Sequence, residues 1–477
     1  MRPFFAIVKL TFRHALRSHI FQLLLGVLVF AVLFIPGTVG AGTASDFIKV
    51  SLLYSLWAVS IILALSSIWL GCFVMTSDVD SYQLHMIVSK PISKVTIWLG
   101  KWTGVNLINL LLLVVSSVFI YGIIMYRYNN SDFPKEEREK IRNEVMVGRR
   151  VYPAMKPDYD MLSREGLKRR ILRLQSQGAN VDLSPASQEK MLKDVRREVV
   201  SGDAEVKAGQ RKMWQFAGLP EGLDTPIYLR YRPYIGKVAS EDQRMTRVLL
   251  YVGVPQKKEQ KNNANVFAQN ADKSNYDVYM IALSQQPEQM MSGEFHEKML
   301  RPEWKVVTPD NTVVVSVQNA DPYGATQFYQ PADGPKLLIK ATGFFANYMR
   351  AILIIALELI ILSGFACSFG GCMSMPVAVF VEVGYLLFGS FSVYMTGLSY
   401  ISGAADKFGV FIAKMLLIVV IPLQAFDVTG AVANGELIEW SFLWQLAFYF
   451  LVCRALPLYL LCIWIYRKRE LGLIVRK

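Results

Sequence analysis

The apolar residues of the chain fall into two blocks separated by a polar region. They dominate before Met125 and after Phe344, and the stretch between has the composition of a water-soluble domain. A helix needs about 20 apolar residues to cross a hydrocarbon core of about 30 Å. We therefore predict six crossings, three in each block, at Ile20–Ile35, Leu52–Met75, Trp102–Met125, Phe345–Phe365, Val377–Met395 and Phe442–Ile465.

Basic residues at the ends of the apolar runs predict the orientation. Lys and Arg gather on the cytoplasmic side of membrane proteins. They precede the first run, lie between the second and third, and follow the last: Lys9, Arg13, Arg17, Lys90, Lys94, Lys101, Arg467, Lys468 and Arg469. The pattern predicts an inner or plasma membrane protein with both termini and the basic tail 467–477 in the cytoplasm, and residues 127–343 outside it.

The first 19 residues have the pattern of an amphipathic helix. Phe5, Val8, Phe12 and Leu16 share one helical face, and the basic residues form a stripe on another. We expect residues 1–19 to lie at the inner surface, before the three spans of residues 20–126. A cleaved signal peptide is the alternative, since small residues follow the first apolar run at 39–41.

The second membrane block, residues 344–466, contains one apolar stretch that is hard to place. Phe408–Ile421 is short, carries Lys414 and ends at Pro422. A seventh crossing there would put the basic tail outside. We expect residues 404–440 to form a re-entrant segment at the outer face, with a complete seventh span as the alternative.

The extracytoplasmic region 127–343 changes pattern near residue 220. Residues 127–220 are charged and favour helices, at Lys135–Arg150, Tyr159–Gln177 and Ser187–Trp214. Residues 221–343 favour strands, at Ile227–Tyr234, Val248–Val254, Tyr276–Leu283, Thr312–Val317 and Leu337–Lys340. The predicted fold is thus an α-helical integral membrane protein of three plus three spans, with an inserted α+β domain of charged helices followed by an antiparallel β-sandwich.

Two surface features of the inserted domain are open to interpretation. Alternation of Tyr228 and Arg230 with Leu229 and Tyr231 predicts half-buried strands. Their tyrosines have either a structural role, which we favour, or a role in carbohydrate binding. A basic cluster comprises Lys168, Arg169, Arg170 and Arg173. We interpret it as a solvated helix face rather than as a contact for anionic head groups or an acidic polymer.

Composition agrees with a membrane class and excludes several functions. The chain has 477 residues, 53% of them hydrophobic, and a net charge of +13 that lies largely at the ends of apolar runs, which argues against nucleic-acid binding. Its five cysteines lie in or beside apolar segments, so we expect neither a disulfide framework nor a metal site. The chain lacks a phosphate-binding P-loop and a hydrolase or metalloprotease motif. We expect no catalytic residue and no cofactor.

Three ionisable residues fall within predicted spans. Glu358, Glu382 and Arg454 each cost about 2.5–3.5 kcal/mol to insert and therefore need partners. Counted from the predicted helix ends, the two acids lie at similar depth, within reach of the long arginine side chain. We predict that Arg454 pairs with one or both acids, in a structural role or in a transport path.

Three segments resemble the type-two exporter permeases, which are membrane subunits of ABC transporters. They are the amphipathic entry into the first span, 4–35; the stretch 77–101, with Asp78, Asp80 and the run Ser89-Lys90-Pro91-Ile92-Ser93-Lys94; and Ile421-Pro422-Leu423-Gln424-Ala425-Phe426-Asp427 together with the closing Arg467-Lys468-Arg469-Glu470-Leu471. The matches cover about half of the chain. Lys94 and Ile421 stand where the family usually has Arg and Leu, and the large insertion between the third and fourth spans is a greater departure.

The resemblance implies a function. Residues 77–101 would form the coupling helix that contacts a separate ATPase subunit, with contact residues Asp78, Asp80, Ser89, Lys90, Pro91, Ser93 and Lys94. Pro91 supports this physically, because it prevents one helix from running straight through the second and third spans. The implied partners are an ABC ATPase that binds ATP and Mg²⁺, a second copy or homologous permease, and membrane lipid. The alternative is a membrane-anchored binding or scaffold protein in which the inserted domain does the work.

Overall fold

The computed structural model describes residues 2–38, 40, 42–80, 92–177, 184–220, 223, 225–236, 244–257, 276–330, 333–397 and 404–468. The chain divides into two compact units. The first, which we call the helical unit, comprises Met1–Gly148 and Thr342–Lys477. The second, the β-rich unit, comprises Arg149–Ala341.

The first block of the helical unit contains two long helices. Thr43 starts the first of them, because its hydroxyl accepts a hydrogen bond from the backbone N–H of Asp46 and donates to that carboxylate. Ser93 caps the second in the same way, accepting from the N–H of Thr96. The helices of this block are α1 Arg2–Leu16, α2 His19–Thr38, α3 Ala44–Asp80, α4 Lys94–Asn130 and α5 Lys135–Lys140, which continues as a π-helical turn, Ile141–Val145.

The β-rich unit consists of a helical hairpin and three sheets. Its elements are β1 Val147–Pro153, α6 Tyr159–Ser176, α7 Pro185–Ala204, β2 Glu205–Val206, β3 Arg211–Phe216, β4 Ile227–Tyr231, β5 Tyr234–Ile235, β6 Met245–Lys257, β7 Tyr276–Ala282, β8 Glu288–Met291, β9 His296–Leu300, β10 Val313–Asn319, β11 Gln327–Phe328 and β12 Lys336–Gly343. The strand orders are β1-β12-β4-β9, β3-β10-β6-β7 with β8 on β6, and β2-β11-β5.

The two larger sheets of the β-rich unit share one apolar core. Leu229 and Tyr231 of β4 belong to the same buried cluster as Leu250 of β6 and Val315 of β10, which lie in the other sheet. The pairs β4–β9, β4–β12, β6–β7 and β6–β10 are antiparallel. The fold is therefore sandwich-like, and the five predicted strands each fall on an observed one.

Three predictions for this region are wrong. The helix predicted at Lys135–Arg150 gives way to β1 at Val147, and the one predicted at Ser187–Trp214 ends at Ala204. The second is followed directly by β2, and a turn at Gly209, with φ +76°, then leads into β3. The strand β4 was expected to be half-buried, yet it is buried on both faces. Tyr228 and Tyr231 are therefore not available on the surface for carbohydrate.

The second block of the helical unit follows β12. Its helices are α8 Phe344–Cys372, α9 Met375–Gly397, α10 Ala404–Val419, α11 Thr429–Ala433, α12 Trp440–Leu446 and α13 Leu456–Lys468. A π-helical segment, Ala447–Ala455, joins α12 to α13, so that Trp440–Lys468 is one continuous helix. A 3₁₀ turn, Leu423–Phe426, lies between α10 and α11.

The described residues contain five helices long and apolar enough to cross a membrane, or up to seven if each of two bent helix pairs is one span. The first bent pair joins α1 and α2 at 70°, and the second joins α10 to the 423–433 segment at 56°. The second has the geometry of either a broken span or a re-entrant loop. The chain is thus a helical protein with the spans of a membrane-embedded fold, together with separate antiparallel sheets.

Helices α3, α4 and α8 form the centre of the helical unit. Asn109 of α4 accepts a hydrogen bond from Ser66 of α3 and donates to Ser67. Asn106, one turn earlier on α4, accepts from Ser363 of α8. These buried amides fix the register of three apolar helices, because polar groups without partners are costly in an apolar interior.

Candidate functional site in the helical unit

A cavity of about 510 Å³ lies in the helical unit between α3, α8, α9 and the 3₁₀ turn after α10. Its wall is mostly apolar, and the described residues that line it include two carboxylates and no basic side chain. The described residues that line the cavity are Trp57, Ser60, Ile61, Ala64, Leu65, Ile68, Ile355, Glu358, Val383, Leu386, Leu387, Ser390, Leu423, Gln424, Phe426, Asp427 and Thr429. Pockets of this size and character are typical of small-molecule sites.

Glu358 supplies the buried acid of this cavity. It lies in the middle of α8 and is 6% exposed. Its Oε2 accepts a hydrogen bond of 3.1 Å from the hydroxyl of Ser60 on α3. Among the described residues, Ser60 is its only hydrogen-bonding partner and no ion pair reaches it. The carboxyl group is thus held in place by α3, and no basic side chain of the described residues pairs with it.

Asp427 supplies the second acid, on the segment between α10 and α11. Its Oδ1 accepts hydrogen bonds from the N–H and the hydroxyl of Thr429, at 3.1 and 2.6 Å, which fixes the start of α11. Phe426 beside it is buried and packs on Phe450, with ring centroids 5.3 Å apart. The exposed Asp427 carboxylate thus sits on an anchored backbone.

Glu382 was expected to share a cluster with Glu358, and the structure separates them. Glu382 on α9 is fully buried, and its Oε2 lies 3.8 Å from the thiol of Cys72 on α3. Cys72 and Ser60 are twelve residues apart on α3, a separation of about 18 Å along the helix axis. The depth estimate was wrong because α8 continues to Cys372, seven residues beyond its predicted end.

Arg454 was expected to pair with these acids, and this prediction is also wrong. Its guanidinium donates to the main-chain carbonyl of Val420, at 2.9 Å, and to the hydroxyl of Tyr449. Arg454, Glu358 and Glu382 all lie in the described part of the chain, and no ion pair joins the arginine to either acid. Carbonyls at a helix C-terminus lack partners within the helix, so Arg454 compensates the end of α10.

The segment that follows the end of α10 is also held by a hydrogen bond from α9. The hydroxyl of Tyr385 on α9 accepts a hydrogen bond of 3.1 Å from the N–H of Ile421. Gly389, one turn further along α9, lies against the same stretch, and a Cβ there would come within 2.9 Å of Val420. Together with Arg454, these contacts hold the segment that presents Asp427 to the cavity.

Only part of the predicted coupling segment is described. Ser89, Lys90 and Pro91 lie outside the described residues, and so do the side chains of Asp78 and Asp80, whose backbone belongs to α3. Ser93 is the N-cap of α4. Lys94 Nζ donates a 3.0 Å hydrogen bond to the carbonyl of Arg467, near the end of α13.

Helix α1 packs against the same end of α4. Gly100 and Gly104 let it approach, since a Cβ at Gly100 would lie 2.8 Å from Ile7 and one at Gly104 would lie 2.7 Å from Thr11. The buried stripe of α1 is Ile7, Thr11 and Ala15. Of the predicted apolar face, Phe5 and Leu16 are exposed, at 65% and 43%, whereas Val8 is half-buried and Phe12 packs against the core of the helical unit.

Sequence reasoning missed the polar residues that shape the cavity. Ser60, Gln424 and Thr429 are inconspicuous in an apolar sequence, and their importance follows only from the helix pairing. The glycines at 100 and 104 carried a usable signal, because small residues four apart mark close helix packing in membranes. No family model and no curated protein matches this chain.

Proposed function

We propose that this chain is the permease subunit of an ABC transporter. In this proposal it has six spans, with both termini and residues 77–101 in the cytoplasm and residues 127–343 outside it. A separate ATPase subunit hydrolyses ATP, and the chain converts that hydrolysis into export or into conformational work on the outer side. A second copy or a homologous permease completes the transporter.

The observation that carries this proposal is the meeting of the family-like segments at one end of the helical unit. Lys94, which lies within the predicted coupling segment 77–101, contacts Arg467, at the start of the family-like tail. The amphipathic helix α1 packs on Gly100 and Gly104, within the first three turns of α4. These segments are far apart in the sequence, yet they assemble at the end to which the basic residues assign a cytoplasmic location.

Helix length supports a partner at that end. Helices α3 and α4 each have 37 residues, which corresponds to about 55 Å, against a hydrocarbon core of about 30 Å. Both therefore extend beyond the core. In the proposed orientation, the end of α3 and the start of α4 reach the cytoplasm, where a partner protein can bind.

Co-purification from native membranes tests the proposal. We expect the tagged full-length protein to carry a P-loop protein that hydrolyses ATP, and the charge reversals Asp78→Lys, Asp80→Lys and Lys90→Glu to release it. The matched control is Lys168→Glu, on an exposed face of α6 in the β-rich unit. Retention of the ATPase by the coupling variants, or its equal loss in the control, would reject the assigned contact.

The second candidate is a membrane-anchored binding or scaffold protein. It is favoured by one observation, the separate apolar core of the β-rich unit, which contains buried residues from both larger sheets. The same purification decides between the two. A preparation without any ATP-hydrolysing subunit supports the scaffold and rejects the permease.

A further inference from the structure

The cavity between α3, α8 and α9 carries charge of one sign. Glu358 and Asp427 both line it, and no Lys, Arg or His is among its described lining residues. The counter-charge expected from the sequence, Arg454, is engaged by Val420 and Tyr449 instead. A carboxylate in an apolar interior is costly unless something compensates it. A cationic group in the cavity would provide that compensation.

The rest of the wall is suited to hydrocarbon. Leu65, Leu386 and Leu387 line it from α3 and α9, and two aromatic rings contribute, Trp57 and Phe426. Aromatic faces attract cations as well as packing against apolar groups. A ligand that fits must therefore join a positive charge to an apolar body.

The cavity is open at the surface of the helical unit, because several residues of its wall are exposed. Trp57 is 51% exposed and Leu387 is 65% exposed, on faces of α3 and α9 that would meet lipid tails. A molecule dissolved in the bilayer can reach such an opening without crossing water. This favours an amphiphile over a sugar or a peptide.

A metal ion does not fit the same lining. Hard cations need six or more oxygen ligands at short distance, and transition metals need about three carboxylate or nitrogen ligands. The part of the chain that the structure describes contains no group of three or more His, Cys, Asp or Glu side chains placed to hold a metal ion. One buried carboxylate bonded to one hydroxyl, facing leucines, is a poor site for an ion that keeps its water.

We propose that this cavity binds a hydrophobic organic cation, with Glu358 as the buried counter-charge and Asp427 as the second acid at its mouth. The cation is of drug-like size, as a cavity of about 510 Å³ allows. That the same molecule is the transported substrate rests on the proposed permease function. Binding itself does not.

Two ions of nearly equal size and shape and opposite charge provide the test. Radiolabelled tetraphenylphosphonium and tetraphenylborate are titrated against the full-length protein in nanodiscs, with empty nanodiscs to subtract partition into lipid. We expect saturable binding of the cation and none of the anion. Glu358→Gln and Asp427→Asn should each weaken cation binding at least tenfold, because each removes one charge while keeping the shape.

Glu382→Gln is the matched control. It removes a buried carboxyl group of the same helical unit that lies outside the cavity, and we expect it to leave cation binding unchanged. Binding of both ions alike, or unchanged cation binding in Glu358→Gln and Asp427→Asn, would overturn the proposal. Should Glu358→Gln fail to fold, the exposed Asp427 variant still decides.

The same preparations separate this inference from the proposed function. ATPase retained without cation recognition rejects the ligand class and leaves the permease standing. Cation recognition without any ATPase rejects the permease and leaves the binding site standing.

Discussion

Arg149 and Glu297 form an ion pair inside the β-rich unit, with Nη1 of the arginine 2.7 Å from Oε2 of the glutamate. The Arg149 side chain is fully buried, and that of Glu297 is 8% exposed. Arg230 donates to the other oxygen of the same carboxylate at 2.6 Å, and it is the register partner of Glu297 between β4 and β9. One acid thus joins three strands, β1, β4 and β9.

Glu297→Ala is expected to destabilise the β-rich unit strongly. It leaves two buried guanidinium groups without their shared carboxylate, and breaking a buried pair costs about 3–5 kcal/mol. Limited proteolysis of the full-length protein should show faster cleavage within Arg149–Ala341. The control Arg169→Ala removes an exposed pair with Glu165, worth about 0–1 kcal/mol, and should not change the rate. Equal protection of both variants would contradict the structural role of Glu297.

Gly435→Ala is expected to weaken the helical unit. Gly435 has φ +64°, a left-handed conformation that alanine disfavours, and an added Cβ would overlap the carbonyl oxygen of Glu144. Gly430→Ala is the matched change in the same segment, with nothing within 4 Å of its added Cβ. The fraction of protein that stays monodisperse after heating should fall for the first variant and hold for the second. If the monodisperse fraction fell for both variants, the loss would reflect any change in this segment and not the contact of Gly435 with Glu144.

Gly104→Ala is expected to loosen α1 from α4. Its added methyl would lie 2.7 Å from Thr11, and overpacking of this kind costs about 1–3 kcal/mol. Once the exposed Cys453 and the half-buried Cys372 are replaced by serine, the buried thiols of Cys72, Cys367 and Cys462 provide a readout, because they react with a thiol-specific fluorophore only when the helices open. The midpoint of heat-induced labelling should drop. Gly26→Ala in α2, which has open space at its Cβ, should leave the midpoint unchanged or raise it.

Tyr159, at the base of the α6–α7 hairpin, is expected to make the stability of the β-rich unit fall at alkaline pH. Burial, followed by the 2.8 Å hydrogen bond that its hydroxyl donates to Asp203, raises the pKa of Tyr159 to about 12. Since the folded state favours the neutral phenol, this stabilisation is complete below the ordinary pKa of 10.0 and is lost as pH rises through about 12. A difference titration of phenolate absorbance, wild type minus Tyr159→Phe, should show one group ionising near pH 12. Ionisation near pH 10 would mean that the hydrogen bond is absent in solution.

The sequence predicted the elements whose signal is local. Apolar length located the long apolar helices, and alternating or β-branched runs located β6, β7 and β10, because helices and strands of a core must present apolar faces. The end of α8 was missed because the predicted span, set by apolar length, stopped at Phe365, whereas the helix continues through Gly370 and Gly371 to Cys372. In the structure these glycines let α8 pack closely on α3, where Gly370 lies against Cys72.

The partners of charged residues could not be predicted in this way. Arg230 belongs to an alternating pattern that predicts exposure, yet it is buried and forms an ion pair with Glu297, which is distant in the sequence. Arg454 has two acids as plausible partners by composition, yet the broken end of α10 provides its acceptor. Both outcomes depend on tertiary pairing between segments far apart in the chain, which a single sequence does not encode as a local pattern.

The amide bridges of Asn106 and Asn109 determine which helices can move. A shift of α3, α4 or α8 against the other two would break buried hydrogen bonds that water cannot replace, so these three helices should move as one body. Tyr385 joins α9 to the break after α10 in a second body. The cavity lies along the seam between the two, and any relative motion of the bodies would therefore change its volume.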